Sequence, residues 1–303
     1  MINTDGIKNE PGQHRVKKGQ DINIAILKAV ATISLTLFLS AIMPGFAHAE
    51  VLQVPLCPDA SFYVHPWTVD DGTPLNTVMG VVRRADGYLW VATRFGLFRF
   101  DGENFESVSQ LSEAALPGVV TPVLCEDRRG RLWLTKIKSN VVCVDDGEIR
   151  VFTPRDGLPQ QTPLSIAEDK EGAVWISYYN PTAPLCRIKD GLVQTFDFAP
   201  GGTDKSPTLL AGDSHGQLWF ARGRQVGVLR DQHLVPLQTL ERPVTCITAV
   251  RSGGLWVSDG RQVFKYRDGE PLKSLGSVSS SGIVNCLYED RRGRLWVASS
   301  SSQ

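Results

Sequence analysis

The chain has 303 residues, 42% hydrophobic and 21% charged, with 32 basic against 32 acidic side chains. Such a composition excludes a largely disordered chain. Beyond residue 49 the balance is 27 basic to 29 acidic residues, which lacks the basic footprint of a general nucleic-acid binder.

The first 49 residues read as an export signal. Arg15, Lys17 and Lys18 precede an apolar run from Ala29 to Met43, and Pro44-Gly45 breaks that run before Ala47-His48-Ala49. A basic region, an apolar region and small residues at −3 and −1 predict a signal peptide over 1–49, cleaved after Ala49. The alternative is an uncleaved anchor over Ile22 to Met43, interrupted by Lys28. Residues 50–61 are then a linker, and 62–303 carry the repeats described below, so the mature chain is expected to be exported. All six cysteines (Cys57, Cys125, Cys143, Cys186, Cys246, Cys286) follow the signal. No C-x-x-C pair occurs, and five of the six sit in apolar strand patterns, where cysteine acts as a small buried hydrophobe.

Six of the seven tryptophans recur at spacings of 43, 42, 44, 37 and 40 residues: Trp90, Trp133, Trp175, Trp219, Trp256 and Trp296. A glycine stands three residues before each, at Gly87, Gly130, Gly172, Gly216, Gly253 and Gly293. Short apolar runs flank a charged turn, as in L-C-E-D-R-R-G-R-L-W-L (Leu124 to Leu134), which predicts a β-hairpin. About ten residues later a second turn follows, at Asp101-Gly102, Asp146-Gly147, Asp190-Gly191 and Asp268-Gly269, degenerating to Asp231-Gln232 in the fourth repeat. Four strands and three turns per forty residues predict an all-β fold, a β-propeller of four-stranded blades, with the tryptophans packed between blades. The paired Glu-Asp residues recur beside a turn in several repeats, which makes them structural rather than catalytic.

The segment Trp67 to Phe105, W-T-V-D-D-G-T-P-L-N-T-V-M-G-V-V-R-R-A-D-G-Y-L-W-V-A-T-R-F-G-L-F-R-F-D-G-E-N-F, resembles the two-component regulator propeller repeat. Similarity runs from about Phe62 to the end. It departs in blades four and five, where Ser214-His215 and Arg251-Ser252 stand in the turn. The resemblance implies the periplasmic ligand-sensing part of a bacterial sensor histidine kinase or, in related architectures, a diguanylate cyclase. It also implies a homodimer in the full-length protein, with membrane contact only through the signal or a C-terminal region.

About six blades are expected, the last holding only two strands, roughly Ile283 to Tyr288 and Leu295 to Ser299, and the full form is expected to have seven. Phe62 to Thr68 aligns with the outer strand of a blade. No catalytic constellation, metal site or cofactor is expected, since none of the five histidines has a ligand spacing. If the strands run in order from axis to rim, both turn types share one face. The opposite face then carries Arg94, Phe95, Lys136, Lys138, Tyr178, Tyr179, Asn180, Arg222, Arg224 and Arg261. These cations and aromatics read either as the solvated charge of exposed loops or as a seat for an extracellular small molecule or oligosaccharide, an anionic one among them. A carbohydrate-active or quinone-dependent propeller enzyme and a protein-binding scaffold are the alternatives.

Overall fold

The structure, a computed structural model, describes residues 78–84, 86–93, 96–108, 120–136, 140–146, 148–198, 205–267, 269–277, 282–290 and 292–301. The signal peptide, the linker and the strand expected at Phe62 to Thr68 lie outside the described residues.

Five four-stranded antiparallel blades follow one another, and a two-stranded sheet begins a sixth. Blade 1 contains β1 (Val78–Arg83), β2 (Leu89–Thr93), β3 (Gly96–Phe100) and β4 (Phe105–Ser107). Blade 2 contains β5 (Val120–Glu126), β6 (Leu132–Lys136), β7 (Val141–Asp145) and β8 (Glu148–Phe152). Blade 3 contains β9 (Pro163–Glu168), β10 (Val174–Tyr178), β11 (Leu185–Lys189) and β12 (Leu192–Phe196). Blade 4 contains β13 (Thr208–Gly212), β14 (Leu218–Arg222), β15 (Gln225–Arg230) and β16 (His233–Thr239). Blade 5 contains β17 (Cys246–Ala249), β18 (Leu255–Ser258), β19 (Gln262–Tyr266) and β20 (Lys273–Ser277), and blade 6 has β21 (Gly282–Glu289) and β22 (Leu295–Ser301).

In each four-stranded blade the strands pair in sequence order, as hairpins joined by short turns require. The first strands of successive blades lie side by side, so the blades stack through their faces. That stacking explains a departure from simple alternation. The second strands β2, β10 and β14 are buried at every position, because both faces of a blade are covered. At the rim the covering ends, and β20 is exposed throughout.

The core is a series of inter-blade layers, each containing one tryptophan. Trp90 packs with Leu132 and Val142 of blade 2, Trp133 with Val174 and Ile176 of blade 3, and Trp175 with Leu218 and Phe220 of blade 4. Trp219 meets Val257 and Tyr266 of blade 5, and Trp256 meets Val284 and Leu287 of blade 6. The glycine three residues before each tryptophan has φ between +74° and +92°, the left-handed region that closes the hairpin without a Cβ clash. The degenerate turn of blade 4 still closes: Asp231 and Gln232 take φ of +48° and +63°, and β15 pairs with β16 from Arg230 opposite His233 to Gly227 opposite Pro236, before the register shifts at Val226.

Candidate functional site

The charged turn works through one carboxylate. In blade 2, Asp127 accepts the Arg129 and Arg131 amides on Oδ1 at 3.0 and 2.9 Å, and Trp133 Nε1 on Oδ2 at 2.7 Å. The pattern repeats for Asp169 with Trp175 at 2.7 Å, Asp213 with Trp219 at 2.9 Å and Asp290 with Trp296 at 3.0 Å. One side chain thus satisfies two turn donors and a core indole. Blade 4 keeps this turn because Asp213 persists, despite Ser214-His215 beside it. Burial raises the Asp290 pKa, but the hydrogen bonds from Trp296 and Arg294 outweigh it and hold the carboxyl at about 2.

The glutamate before the aspartate has a separate task. Glu168 of blade 3 reaches back to the turn of blade 2, accepting the Arg128 amide at 2.8 Å and Arg128 Nε at 3.1 Å. Glu289 of blade 6 likewise accepts the Arg251 amide of blade 5 at 3.3 Å and Trp256 Nε1 at 2.5 Å. Glu126 of blade 2 accepts Arg84 Nε of blade 1 at 3.4 Å. These contacts clasp one blade to the preceding one.

Between blades 3 and 4 the clasp is missing, because Gly212 stands where blades 2, 3 and 6 have Glu126, Glu168 and Glu289. A Cβ on Gly212 would lie 2.4 Å from the Glu168 carbonyl oxygen, and one on Gly216 would lie 2.5 Å from Lys170 Cα. The blades therefore touch backbone to backbone at these two points. Beside that contact lies a cleft of about 480 Å³, lined in part by Lys170, Glu171, Trp175, Arg187, Arg230 and Gln232. Its blade-3 wall is fixed: Glu171 accepts Arg187 Nη2 at 2.7 Å and Lys189 Nζ at 2.9 Å. The Lys189 hydrogen bond, with the charges of Lys189 and Arg187, holds the Glu171 carboxyl below its ordinary pKa. A polar rim of both charges over an indole suits a hydroxylated or charged small molecule. A smaller cavity of about 200 Å³ lies between blades 2 and 3, over Trp133 and Phe152.

Both cavities lie among the charged turns, on the face opposite the one singled out from sequence. Of the residues expected on that other face, Arg94, Phe95 and Lys138 lie outside the described residues, and Lys136 is described only as the last residue of β6. Tyr178 is 2% exposed and donates its hydroxyl to Cys186 Sγ at 3.3 Å, with burial pushing its pKa up. It belongs to the wall behind the face. Asn180 accepts the Thr182 amide and hydroxyl at 3.0 and 2.9 Å, as turn asparagines do. Buried Arg222 ties Thr208 Oγ1 and the Phe198 carbonyl at 2.7 Å each. Tyr179, Arg224 and Arg261 are exposed. Sequence reasoning missed the cleft residues. The signal for them was Gly212, the one glycine at the position before the turn aspartate.

Cys125, Cys143, Cys186, Cys246 and Cys286 are free thiols. Burial pushes Cys125 and Cys246 up to about 12 and Cys143 and Cys186 up to about 11, which suits packing rather than chemistry. Among the described residues no group of three or more His, Cys, Asp or Glu could hold a metal ion, and no helix is long and apolar enough to cross a membrane.

No curated protein matches the chain. Among solved structures, virginiamycin B lyase from Staphylococcus aureus is similar with a TM-score of 0.60 at 17% identity, over 73% of this chain and 77% of that one. The extracellular domain of BT4673 from B. thetaiotaomicron, described both as a one component and as a hybrid two component system, has a TM-score of 0.60 at 17% identity. That match covers 75% of this chain and 32% of the other. XC5397 from Xanthomonas campestris, described as a gluconolactonase, has a TM-score of 0.52 at 17% identity, over 74% and 83%. These likenesses show the propeller fold. Residues 277–301, from the end of β20 through β22, match the family model for the two component regulator propeller, so the resemblance seen in the sequence is borne out and the chain carries a repeat of that family.

Proposed function

We propose that the chain is the ligand-sensing propeller of an exported signal-transduction receptor of the two-component type, and that the cleft between blades 3 and 4 seats the ligand. The match at 277–301 supports the receptor reading, and the missing clasp at Gly212 supports the seat. A ligand lodged between Glu171 and Arg187 on one wall and Arg230 and Gln232 on the other contacts two blades at once. It therefore biases their spacing, the differential interaction that a signal needs. Periplasmic location, transmission to a kinase or cyclase and pairing of two copies belong to the same proposal.

The test is a thermal-shift screen of the full chain against neutral and acidic oligosaccharides, followed by titration of any that stabilise it. Lys170→Ala and Gln232→Ala, both exposed, are expected to keep the melting temperature within about 1 °C, since surface substitutions cost roughly 0.5 kcal/mol or less. They are expected to weaken the ligand response at least about tenfold, the loss of one charge-assisted contact. A response unchanged in both variants, yet lost on Arg224→Ala and Arg261→Ala, moves the seat to the opposite face. Turnover of an oligosaccharide would favour the enzyme reading, which the lyase and gluconolactonase neighbours make worth assaying.

A further inference from the structure

Trp90 is the exception among the recurring indoles. Four of them donate to the aspartate of their own turn, and Trp256, whose turn has Val250 at that position, donates instead to Glu289 of the next blade. Blade 1 has Arg84 where the aspartate belongs. The next blade's glutamate offers no rescue, because Glu126 is drawn to Arg84 Nε at 3.4 Å. Trp90 is 6% exposed, and its Nε1 has no hydrogen-bond partner among the described residues.

A second orphan stands beside it. Arg99 lies opposite Trp90 in the β2–β3 register, and its buried Nε is also without a partner. Its Nη2 is engaged by Glu106 at 2.5 Å, and its guanidinium lies 4.5 Å from the centre of the Tyr88 ring. In blade 3 the same two positions are Trp175 and Arg187, and both donors converge on one oxygen. Asp169 Oδ2 accepts Trp175 Nε1 at 2.7 Å and Arg187 Nε at 3.5 Å. Blade 1 therefore keeps the donors and lacks the acceptor.

Indole and guanidinium groups donate and cannot accept. Arg84, whose guanidinium sits 5.1 Å from the centre of the Trp90 ring, adds further donors and no acceptor. A buried donor left unmet costs about 1–3 kcal/mol, so an acceptor from outside the chain is favoured here. The geometry points to a small monovalent anion, of formate or chloride size, bound between Trp90 Nε1 and Arg99 Nε, in the place that the turn aspartate fills in blade 3. Three carboxylates surround the place, and each has a partner. Asp86 accepts the Tyr88 amide at 2.9 Å, Glu106 holds Arg99 and Glu126 holds Arg84. Their charges select against a dianion such as sulfate.

The experiment melts the full chain and its Arg84→Asp variant in low-salt buffer while formate, chloride or sulfate is titrated at matched ionic strength. Arg84→Asp restores the carboxylate that blade 3 possesses. The wild type is expected to gain about 2–4 °C, saturably, in formate or chloride and not in sulfate. The variant is expected to melt higher than the wild type without added anion and to show no saturable gain. No saturable gain in the wild type, or an equal gain in the variant, overturns the proposal, the first result meaning that water is the acceptor. If Arg84→Asp does not fold, the wild-type Trp90 indole N–H resonance, assigned with Trp90→Phe, decides: it shifts on adding formate or chloride, and an unmoved resonance overturns the site.

Discussion

At the junction of blades 2 and 3, Glu168 lies across the gap, binds the Arg128 amide and side chain, and leaves a cavity of about 200 Å³. At the junction of blades 3 and 4, Gly212 stands at that position, the backbones meet directly, and a cleft of about 480 Å³ opens beside the contact. Both junctions carry the same Asp-Trp hydrogen bond, Asp127 with Trp133 at the first and Asp169 with Trp175 at the second. The repeat thus separates two duties. The aspartate and tryptophan hold a blade together and fill its interface, while the glutamate decides how tightly the next blade is closed against it. Propeller stability and cleft formation can then change independently, since they rest on different side chains.

The largest expected effect tests the shared part. Trp219→Ala removes a fully buried side chain from between blades 4 and 5 and leaves Asp213 without its indole partner. It should cost about 3–5 kcal/mol, read from urea melts. Asp213→Ala keeps the ring but strands Trp219 Nε1 and the amides of His215 and Gln217. A loss of about 2–4 kcal/mol is expected. A loss below 1 kcal/mol would show that the turn holds without its carboxylate.

The differing residues come next. Gly212→Ala forces a Cβ against the Glu168 carbonyl, and an overpacked contact of this kind costs about 1–3 kcal/mol. Glu168→Ala should cost about 1–2 kcal/mol through the lost charged hydrogen bonds and should raise amide exchange in the blade-2 turn. The blade-4 turn, which has no glutamate clasp to lose, should be unchanged. Equal exchange in both turns would break the comparison.

The smallest effect is a pH dependence. Asp290 has a folded pKa of about 2 against an ordinary 3.8, so its contribution to stability is complete above about pH 4 and is lost as pH falls from 4 towards 2. Asp290→Asn should melt lower than the wild type at pH 6, and the difference should shrink across that window. A constant difference would mean that Asp290 acts through packing alone.

The spacing of tryptophan, glycine and Asp-Gly pairs was enough to read the blades, because hairpin turns need particular backbone angles and only a few residues adopt them. The same local chemistry made the Glu-Asp pair look structural. It did not divide that pair into an indole acceptor and a clasp, since the partners of Glu168 lie some forty residues back in the chain. Tyr178 shows the limit most clearly. Counted from the tryptophan it belongs to a loop, yet it closes β10, a strand covered on both faces, and so it points into the core. Gly212 was visible as a gap in the motif, but a missing side chain becomes a cleft only where another blade stands opposite.

The sequence by itself determined the all-β repeat and the two-stranded start of blade 6, consequences of local backbone preference and period, and it carried the resemblance to the two component regulator propeller that the match at residues 277–301 bears out. The tertiary structure alone decided which face carries the cavities, which charges are already paired, and where a donor is left unmet. Those properties depend on distances between side chains of different blades, and no local pattern in one blade encodes its neighbour.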